Sequence, residues 1–274
     1  MNYIEYTFHL EPLLPAREVL VAELADMGFE SFVELSDGLQ AYVSEAHHVP
    51  VLREYLQASQ IPGQMLSFSF REIPDENWNA EWEKNFDPIA VEDLCLVRAP
   101  FHHSVGGYRH ELIIEPKMSF GTGHHATTWL MLRVMYDLGF AERRVLDMGS
   151  GTGVLAILAA RLGASSVDAI DVDEWAYRNA LENVERNGAP VVRCELGDAA
   201  LLNGRVYDII LANINRNILV QDAAAYQAAL AAGGFLLLSG FYSHDIPILL
   251  EAFGQMREYA RKTRGEWALV ILQK

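Results

Sequence analysis

The segment Val145-Leu146-Asp147-Met148-Gly149-Ser150-Gly151-Thr152-Gly153 places three glycines within the seven residues Asp147–Gly153. It reads as a short apolar strand, a tight turn, and the start of a helix over 154–162. Glycines let the backbone turn sharply and approach a ligand with no Cβ in the way. A turn at the carboxyl end of a parallel strand, opening a helix, is where open α/β sheets bind ligands. Asp171 ends the next apolar strand, Val167–Ile170, 22 residues after Gly149. There a carboxylate can accept both hydroxyls of a ribose. A glycine cluster can also be no more than a turn; the carboxylate beyond it favours a ligand site.

Outward from this loop, strands and helices alternate from residue 117 onward. Strands are expected at Val145-Leu146, Val167–Ile170, Val191–Cys194, Ile209–Leu211 and Phe235–Leu238, with helices over 154–162, 173–187 and 217–231. That alternation predicts a doubly wound, Rossmann-like α/β sheet. The tail reads as a helix, Ile246–Phe253, then strands Glu258–Lys262 and Glu266–Leu272.

The first 75 residues follow another pattern. Ile4, Tyr6, Phe8 and Leu10 alternate as a half-buried strand does, and a helix opening at Pro15 carries Val19, Leu20, Leu24 and Met27. Phe32–Leu35 and Leu39–Val43 flank Ser36-Asp37-Gly38, a hairpin signal. A second helix is expected through Val51, Leu52, Tyr55 and Leu56, followed by a strand through Leu66, Phe68 and Phe70. The order β-α-β-β-α-β predicts a small ferredoxin-like α+β domain over 1–75. Residues 76–116 read as a structured connector, with Trp78 and Trp82 as packing anchors on one helix face and strands at Leu94–Val97 and Glu111–Ile114. The doubly wound domain then spans 117–274.

Of 274 residues, 51% are hydrophobic and 21% charged, which excludes a disordered or collagen-like chain. No apolar run reaches the roughly 18–20 residues of a membrane span. Met1–Tyr6 lacks a basic start and an apolar stretch, so a cytoplasmic protein is expected, with Cys95 and Cys194 reduced. Net charge is −16, which argues against nucleic acid as a direct partner, since phosphate binding needs clustered Lys and Arg. The charge is uneven. Residues 1–75 hold 12 Asp and Glu against 3 Lys and Arg, whereas 117–274 hold 17 against 15. Solubility alone explains an acidic surface; attraction of a basic partner is the sharper reading.

The loop separates two ligand classes. A dinucleotide-binding G-x-G-x-x-G counted from Gly149 needs glycine at 154, where Val154 stands. The sequence Asp147–Gly153 instead resembles the first motif of class I S-adenosylmethionine-dependent methyltransferases, in which the loop cradles the amino-acid end of the cofactor. Gly197-Asp198 resembles their adenine-contacting position, and Asp208-Ile209-Ile210-Leu211-Ala212-Asn213 their fourth-strand motif, which ends beside the transferred methyl. The string Glu115-Pro116-Lys117-Met118-Ser119-Phe120-Gly121-Thr122-Gly123-His124-His125-Ala126-Thr127-Thr128, with Asp208–Ile214, closely resembles the family that methylates the eleventh protein of the large ribosomal subunit, the PrmA family. The resemblance covers the whole chain, including Glu76-Asn77-Trp78 to Pro88-Ile89 and the closing Gly265-Glu266-Trp267. Two departures stand out: Lys117 and Ser119 replace the usual glycine and alanine, and Ala99-Pro100-Phe101-His102 occupies a place where many members carry a tryptophan.

The resemblance implies S-adenosylmethionine as cofactor, with contacts at Thr128, Gly149, Gly151, Asp171, Asp198 and Asn213. Phe120 and Thr122 would close over it and exclude water. It also implies protein methylation at lysine or N-terminal amines; for that chemistry Asn213 and a nearby backbone carbonyl are expected to orient the amine nitrogen, and no dedicated general base is identifiable. The acidic N-terminal domain becomes the recogniser of a basic ribosomal protein, and a monomer is expected. The fourth-strand sequence Asn213-Ile214-Asn215-Arg216 differs from the Asn-Pro-Pro-Tyr typical of amide and nucleobase methylation. A different protein lysine stays open as the target, as does a binding module without catalysis. No metal is expected. The adjacent pairs His47-His48, His102-His103 and His124-His125 point to opposite faces if extended, and neither cysteine has zinc-finger spacing. Two acidic residues admit structural roles: Asp198 as a cap of the next segment, and Asp147 as an acceptor for the loop's own N–H groups.

Overall fold

The computed structural model describes residues 3–44, 64–73, 87–117 and 125–274. The chain divides into two compact units, 1–85 and 86–274. The expected helix through Val51–Leu56 and the Trp78/Trp82 face lie outside the described residues.

In the N-terminal unit, β1 (Tyr3–Glu11), β2 (Ser31–Leu35), β3 (Gly38–Ser44) and β4 (Gln64–Ile73) form an antiparallel sheet of order β2-β3-β1-β4, the ferredoxin-like arrangement. Helix α1 (Leu13–Asp26) buries Ala16, Leu20 and Leu24 against Tyr6, Phe8, Leu39 and Ala41. The hairpin between β2 and β3 is tighter than its sequence suggests: Leu35 already pairs with Gly38. Gly38 is needed for a different reason, because a Cβ there would sit 1.8 Å from the Phe8 carbonyl oxygen on β1.

The C-terminal unit holds a three-stranded sheet, β5 (Ile89–Val91), β6 (Cys95–Arg98) and β7 (His110–Ile113), and a seven-stranded one. The larger sheet comprises β8 (Arg144–Met148), β9 (Ser166–Asp171), β10 (Val192–Leu196), β11 (Tyr207–Asn213), β12 (Leu230–Tyr242), β13 (Arg257–Arg264) and β14 (Trp267–Gln273), in the order β10-β9-β8-β11-β12-β14-β13. The first five strands of that order are parallel neighbours; β14 enters antiparallel between β12 and β13. β11 lies between β8 and β12 and is covered on both faces, hence the unbroken apolar run Ile209–Ala212. β13 is an edge and carries Arg257, Arg261, Lys262 and Arg264, charges that discourage pairing with another chain.

Helices α2 (Ala126–Met135), α3 (Val154–Arg161) and α4 (Glu174–Arg186) cover one face; α5 (Arg216–Gln221), α6 (Ala223–Ala229) and α7 (Ile246–Ala252) cover the other. Val145 and Leu146 show the alternation, the first buried with α2 and α3, the second with α5 and α6. Each fully buried side chain of this size contributes about 1.5–3 kcal/mol. The small β5–β7 sheet joins the first of these cores through Val91, Cys95, Val97 and Leu112. The single helix expected over 217–231 is two helices broken at Asp222, and β12 begins where it was expected to end. That stretch lacks a proline or glycine before Gly233, so its local sequence does not announce the break.

A bulge in β12 between Ser239 and Phe241 brings Gly240 against the chain leaving β11. A Cβ on Gly240 would lie 2.2 Å from the Ile214 carbonyl oxygen, and its φ is +97°. At Gly106 φ is +66°, yet no atom lies within 4 Å of the added carbon. Gly240→Ala is therefore expected to cost about 3 kcal/mol or more, combining strain with overpacking, and Gly106→Ala about 1 kcal/mol. Chemical denaturation of the two variants checks the difference.

Candidate functional site

The strand-to-helix turn after β8 is built from backbone geometry and two carboxylates. Gly149, Gly151 and Gly153 have φ of 72°, 54° and 78°, a region L-residues with side chains avoid. The Gly149 and Ser150 N–H groups donate to the Ile170 carbonyl at 2.8 and 3.1 Å, fastening the turn to the end of β9. Gly153 is the N-cap of α3 and has no side chain to cap with. Asp147, on β8, substitutes for it: its Oδ2 accepts the Ala156 N–H at 3.0 Å. The carboxylate is buried and its Oδ1 has no partner. Burial pushes its pKa up to about 7, opposed by the Ala156 N–H and reinforced by the Asp171 charge.

Asp171 stands at the carboxyl end of β9. Its Oδ2 accepts from Gly151 N–H at 2.8 Å and its Oδ1 from Asp173 N–H at 3.0 Å. Each oxygen retains a lone pair, and two remain for a pair of hydroxyls. Gly149, Gly151, Asp171, Asp198 and Asn213 all line one cavity of about 1150 Å³ above the strand ends. Asp198 also caps the 3₁₀ turn 199–202, its Oδ1 accepting the Ala200 N–H at 2.9 Å, so the capping and lining roles coexist. Thr128 lies deeper, buried on α2, where its Oγ1 accepts from Asn213 Nδ2 at 3.3 Å; its neighbour Thr127 lines the cavity. Phe120 and Thr122 fall outside the described residues.

Asn213 ends β11 and is 8% exposed, yet its Oδ1 is buried with no hydrogen-bond partner. Its amide NH₂ donates to Thr128, and the residue lines the cavity at the end of β11. The first residue of the same motif does other work: Asp208, at the far end of β11, accepts the Arg144 N–H at 2.8 Å, and that bond holds its carboxyl below the usual range. Across the cavity His125 caps α2, its Nδ1 accepting the Thr127 N–H. Its ring meets Trp267 edge-on at 4.4 Å, and Trp267 stacks on Tyr242 at 4.4 Å. At the other rim, Val172 and Trp175 are 70% and 76% exposed, an apolar platform that a flat ring can cover.

The lining carries Asp171, Asp173, Asp198 and Asp222 but one cation, Lys117, which pairs with Glu182 at 2.5 Å. Such a cavity suits a cationic ligand and repels a pyrophosphate. The orphaned Asn213 Oδ1, the Asp171 lone pairs and this charge fit S-adenosylmethionine. Among the described residues no three His, Cys, Asp or Glu side chains gather in a group that could hold a metal, and no helix is long and apolar enough to cross a membrane. His102 instead accepts the Ala99 N–H within its own turn. Cys95 and Cys194 are free thiols, and burial raises the first to about 12 and the second to about 11.

Several site residues escaped the sequence reading. Gly240 and Trp175 carry no local motif. Asn179 and Asn183, buried on α4, and Asn187 at its C-cap had a visible signal in their spacing of four on a helix face that is otherwise apolar.

The sheet order with its antiparallel β14, the glycine turn and the acidic cavity define a class I methyltransferase. The chain belongs to the ribosomal protein L11 methyltransferase family: the family described as "Ribosomal protein L11 methyltransferase (PrmA)" matches residues 17–274. A ribosomal protein L11 methyltransferase of Porphyromonas gingivalis is 50% identical over 263 residues, covering 92% of this chain and 90% of that protein. Another, from Bacteroides thetaiotaomicron, is 42% identical over 276 residues, 98% of this chain and 99% of its own length. The fold is similar to a crystal structure of ribosomal protein L11 methylase from Lactobacillus delbrueckii subsp. bulgaricus, with a TM-score of 0.63 at 24% identity over 68% of this chain and 98% of the other.

Two outcomes follow from this geometry. Asp171→Ala is expected to weaken binding of S-adenosylhomocysteine about 10–100-fold, the value of one hydrogen-bonded charge, as read by calorimetry. The folded Asp147 carboxyl titrates near 7 and the unfolded one near 3.9. Deprotonation of the unfolded chain therefore makes this group a growing liability as pH rises from about 4 to 7. Relative to the unsubstituted protein, Asp147→Asn is expected to have a higher Tm at pH 8 than it does at pH 4, and a constant Tm difference would count against the buried, uncompensated charge.

Proposed function

We propose that this chain transfers methyl groups from S-adenosylmethionine to amine nitrogens, lysine side-chain or N-terminal, of ribosomal protein L11. The observation that carries the reading is the unpartnered, buried Asn213 Oδ1 at the end of β11. When bound, the cofactor supplies a methyl group already activated on a sulfonium, so the protein's task is positioning and desolvation.

The acceptor nitrogen has to arrive neutral. A free lysine loses its proton near 10.4 and an α-amine near 8, so the site must disfavour the charged form. Burial against Trp267 and His125 does this by removing water, with the lining carboxylates pulling the other way. Asn213 Oδ1 then accepts one N–H of the neutral amine, which turns the lone pair toward the methyl. The Thr128 hydroxyl accepts from the Asn213 NH₂ at 3.3 Å, which leaves Oδ1 as the amide's unused acceptor. Nothing here requires a protein group to take the proton, and none is assigned that role.

The N-terminal unit supplies recognition in this reading. Glu11, Glu18, Asp26, Glu30, Glu34 and Asp37 are exposed on it, a surface that draws a basic protein. Among the described exposed carboxylates, Glu34 pairs with Arg17 and Asp37 with His9.

The test is purified L11 incubated with labelled cofactor and the intact chain, the product read by mass spectrometry. Methyl groups on amine nitrogens are expected, with kcat/KM falling as salt rises past about 0.1 M, where the screening length is near 10 Å. Asn213→Ala is expected to lower kcat about 10²-fold or more. Methylation of a different basic protein with L11 left unmodified would transfer the reading to another target.

A further inference from the structure

Helix α4 and its C-cap carry a row of buried asparagines whose hydrogen bonds reach two segments adjoining the cavity-lining residues Lys117 and Gly151. Asn179, Asn183 and Asn187 are 1%, 0% and 4% exposed. Buried amides on a helix face are expensive unless fully bonded, and each of these is bonded to backbone. Asn187 Oδ1 accepts the Ile113 N–H at 2.9 Å and its Nδ2 donates to the Ile113 carbonyl at 2.7 Å. Two residues on, Asn183 Oδ1 accepts the Glu115 N–H at 2.9 Å, and Asn179 Nδ2 donates to the Glu115 carbonyl at 3.4 Å. The side-chain amides thus give residues 113–115 the hydrogen bonds of a neighbouring strand. Lys117, on the cavity wall, follows directly.

Asn183 does more than its two neighbours. Its Nδ2 donates to the Thr152 carbonyl at 3.0 Å, inside the glycine loop, and to Asn179 Oδ1 at 3.2 Å. Arg186 donates to its Oδ1 at 2.9 Å and pairs with Glu115 at 3.1 Å. Two bonds to the oxygen and two from the NH₂ use the amide completely. Thr152 lies between Gly151, whose N–H holds Asp171, and Gly153, which opens α3. One side chain therefore spans the segment entering the site and the loop at the cofactor's amino-acid end.

We propose that Asn183 is a positioning residue for the cofactor, fixing the separation between the glycine loop and residues 113–117. It touches no ligand; it acts through Thr152 and Glu115. Glycines at 151 and 153 leave the loop free to take other shapes, and the Asn183 bond to the Thr152 carbonyl adds a backbone anchor between them to the Asp171 bond at Gly151. The inference rests on S-adenosylmethionine as the ligand of this cavity.

The decisive comparison is Asn183→Asp against Asn187→Asp. Each puts a carboxylate of the same size at a buried site, on α4 or at its C-cap, and each sets an oxygen against backbone carbonyls, but only the first does so at Thr152, the second at Ile113 and Asn183. With both proteins folded by near-ultraviolet circular dichroism, Asn183→Asp is expected to raise the Kd for S-adenosylhomocysteine about tenfold or more and to speed hydrogen exchange at Gly151 and Gly153. Asn187→Asp is expected to shift Kd less than about threefold, and kcat at saturating cofactor to stay within about threefold for both; tenfold in Kd corresponds to about one hydrogen bond. If the carboxylates prevent folding, Asn183→Ala and Asn187→Ala are compared in the same way. Equal changes in Kd, or an unchanged Kd for the position 183 variant, would overturn the proposal. Failure of the unsubstituted protein to bind S-adenosylhomocysteine would instead overturn the cofactor assignment, a separate result.

Discussion

Two carboxylates at neighbouring strand ends hold the turn on which the site depends. Asp147 reaches forward from β8 to the third N–H of α3, doing from inside the sheet what a capping side chain at Gly153 cannot. Asp171 reaches across from β9 to the Gly151 N–H. The first bond sets where the helix starts; the second sets how the loop faces the cavity. Without both, three glycines at positive φ would be a flexible link. With both, the loop is a fixed rim, and α3 is docked into a core that includes Val154, Ile157 and Leu158.

The same arrangement sets the electrostatics. Asp147 lies on the protein side of the rim, buried and with an oxygen unpaired, while Asp171, Asp173, Asp198 and Asp222 line the cavity itself. A pocket ringed by carboxylates favours a cation, because nearby fixed negative charge offsets the desolvation cost of the ligand charge. That bias is opposite to a phosphate-binding loop, even though both use glycines at a helix N-terminus. Spacing suggested the distinction through Val154; the lining residues supply its physical basis.

Much of the fold was legible because its signals are local. The alternation of Ile4, Tyr6, Phe8 and Leu10, the apolar run of β11 and the glycines after β8 each reflect a period or a backbone requirement that short sequence carries. The placing of Asp171 and Asn213 at strand ends that line the cavity was legible because both follow recognisable motifs. Harder to read were residues whose role comes from distant partners. Gly38 looked like a turn glycine, yet the β1 backbone 1.8 Å from its would-be Cβ is what demands it. Asp208, part of the fourth-strand motif, serves the opposite end of the strand, bonded to Arg144. The break at Asp222 within the expected 217–231 helix, and the β12 bulge at Gly240, come from packing against the sheet and against Ile214.

By itself the sequence determined the two-part α+β and α/β organisation, the ligand class of the glycine loop and the acidic character of residues 1–75, since periodicity, residue spacing and charge are properties of contiguous chain. Tertiary structure alone decided which acceptors are left unsatisfied and which are not. Asn213 and Asn183 are both buried asparagines, and no local pattern tells them apart. The fold surrounds Asn183 with four bonding partners and leaves one oxygen of Asn213 with none. Two of those four partners, Thr152 and Glu115, lie 31 and 68 residues away and are brought to 3.0 and 2.9 Å, which is why only the folded chain tells the two asparagines apart.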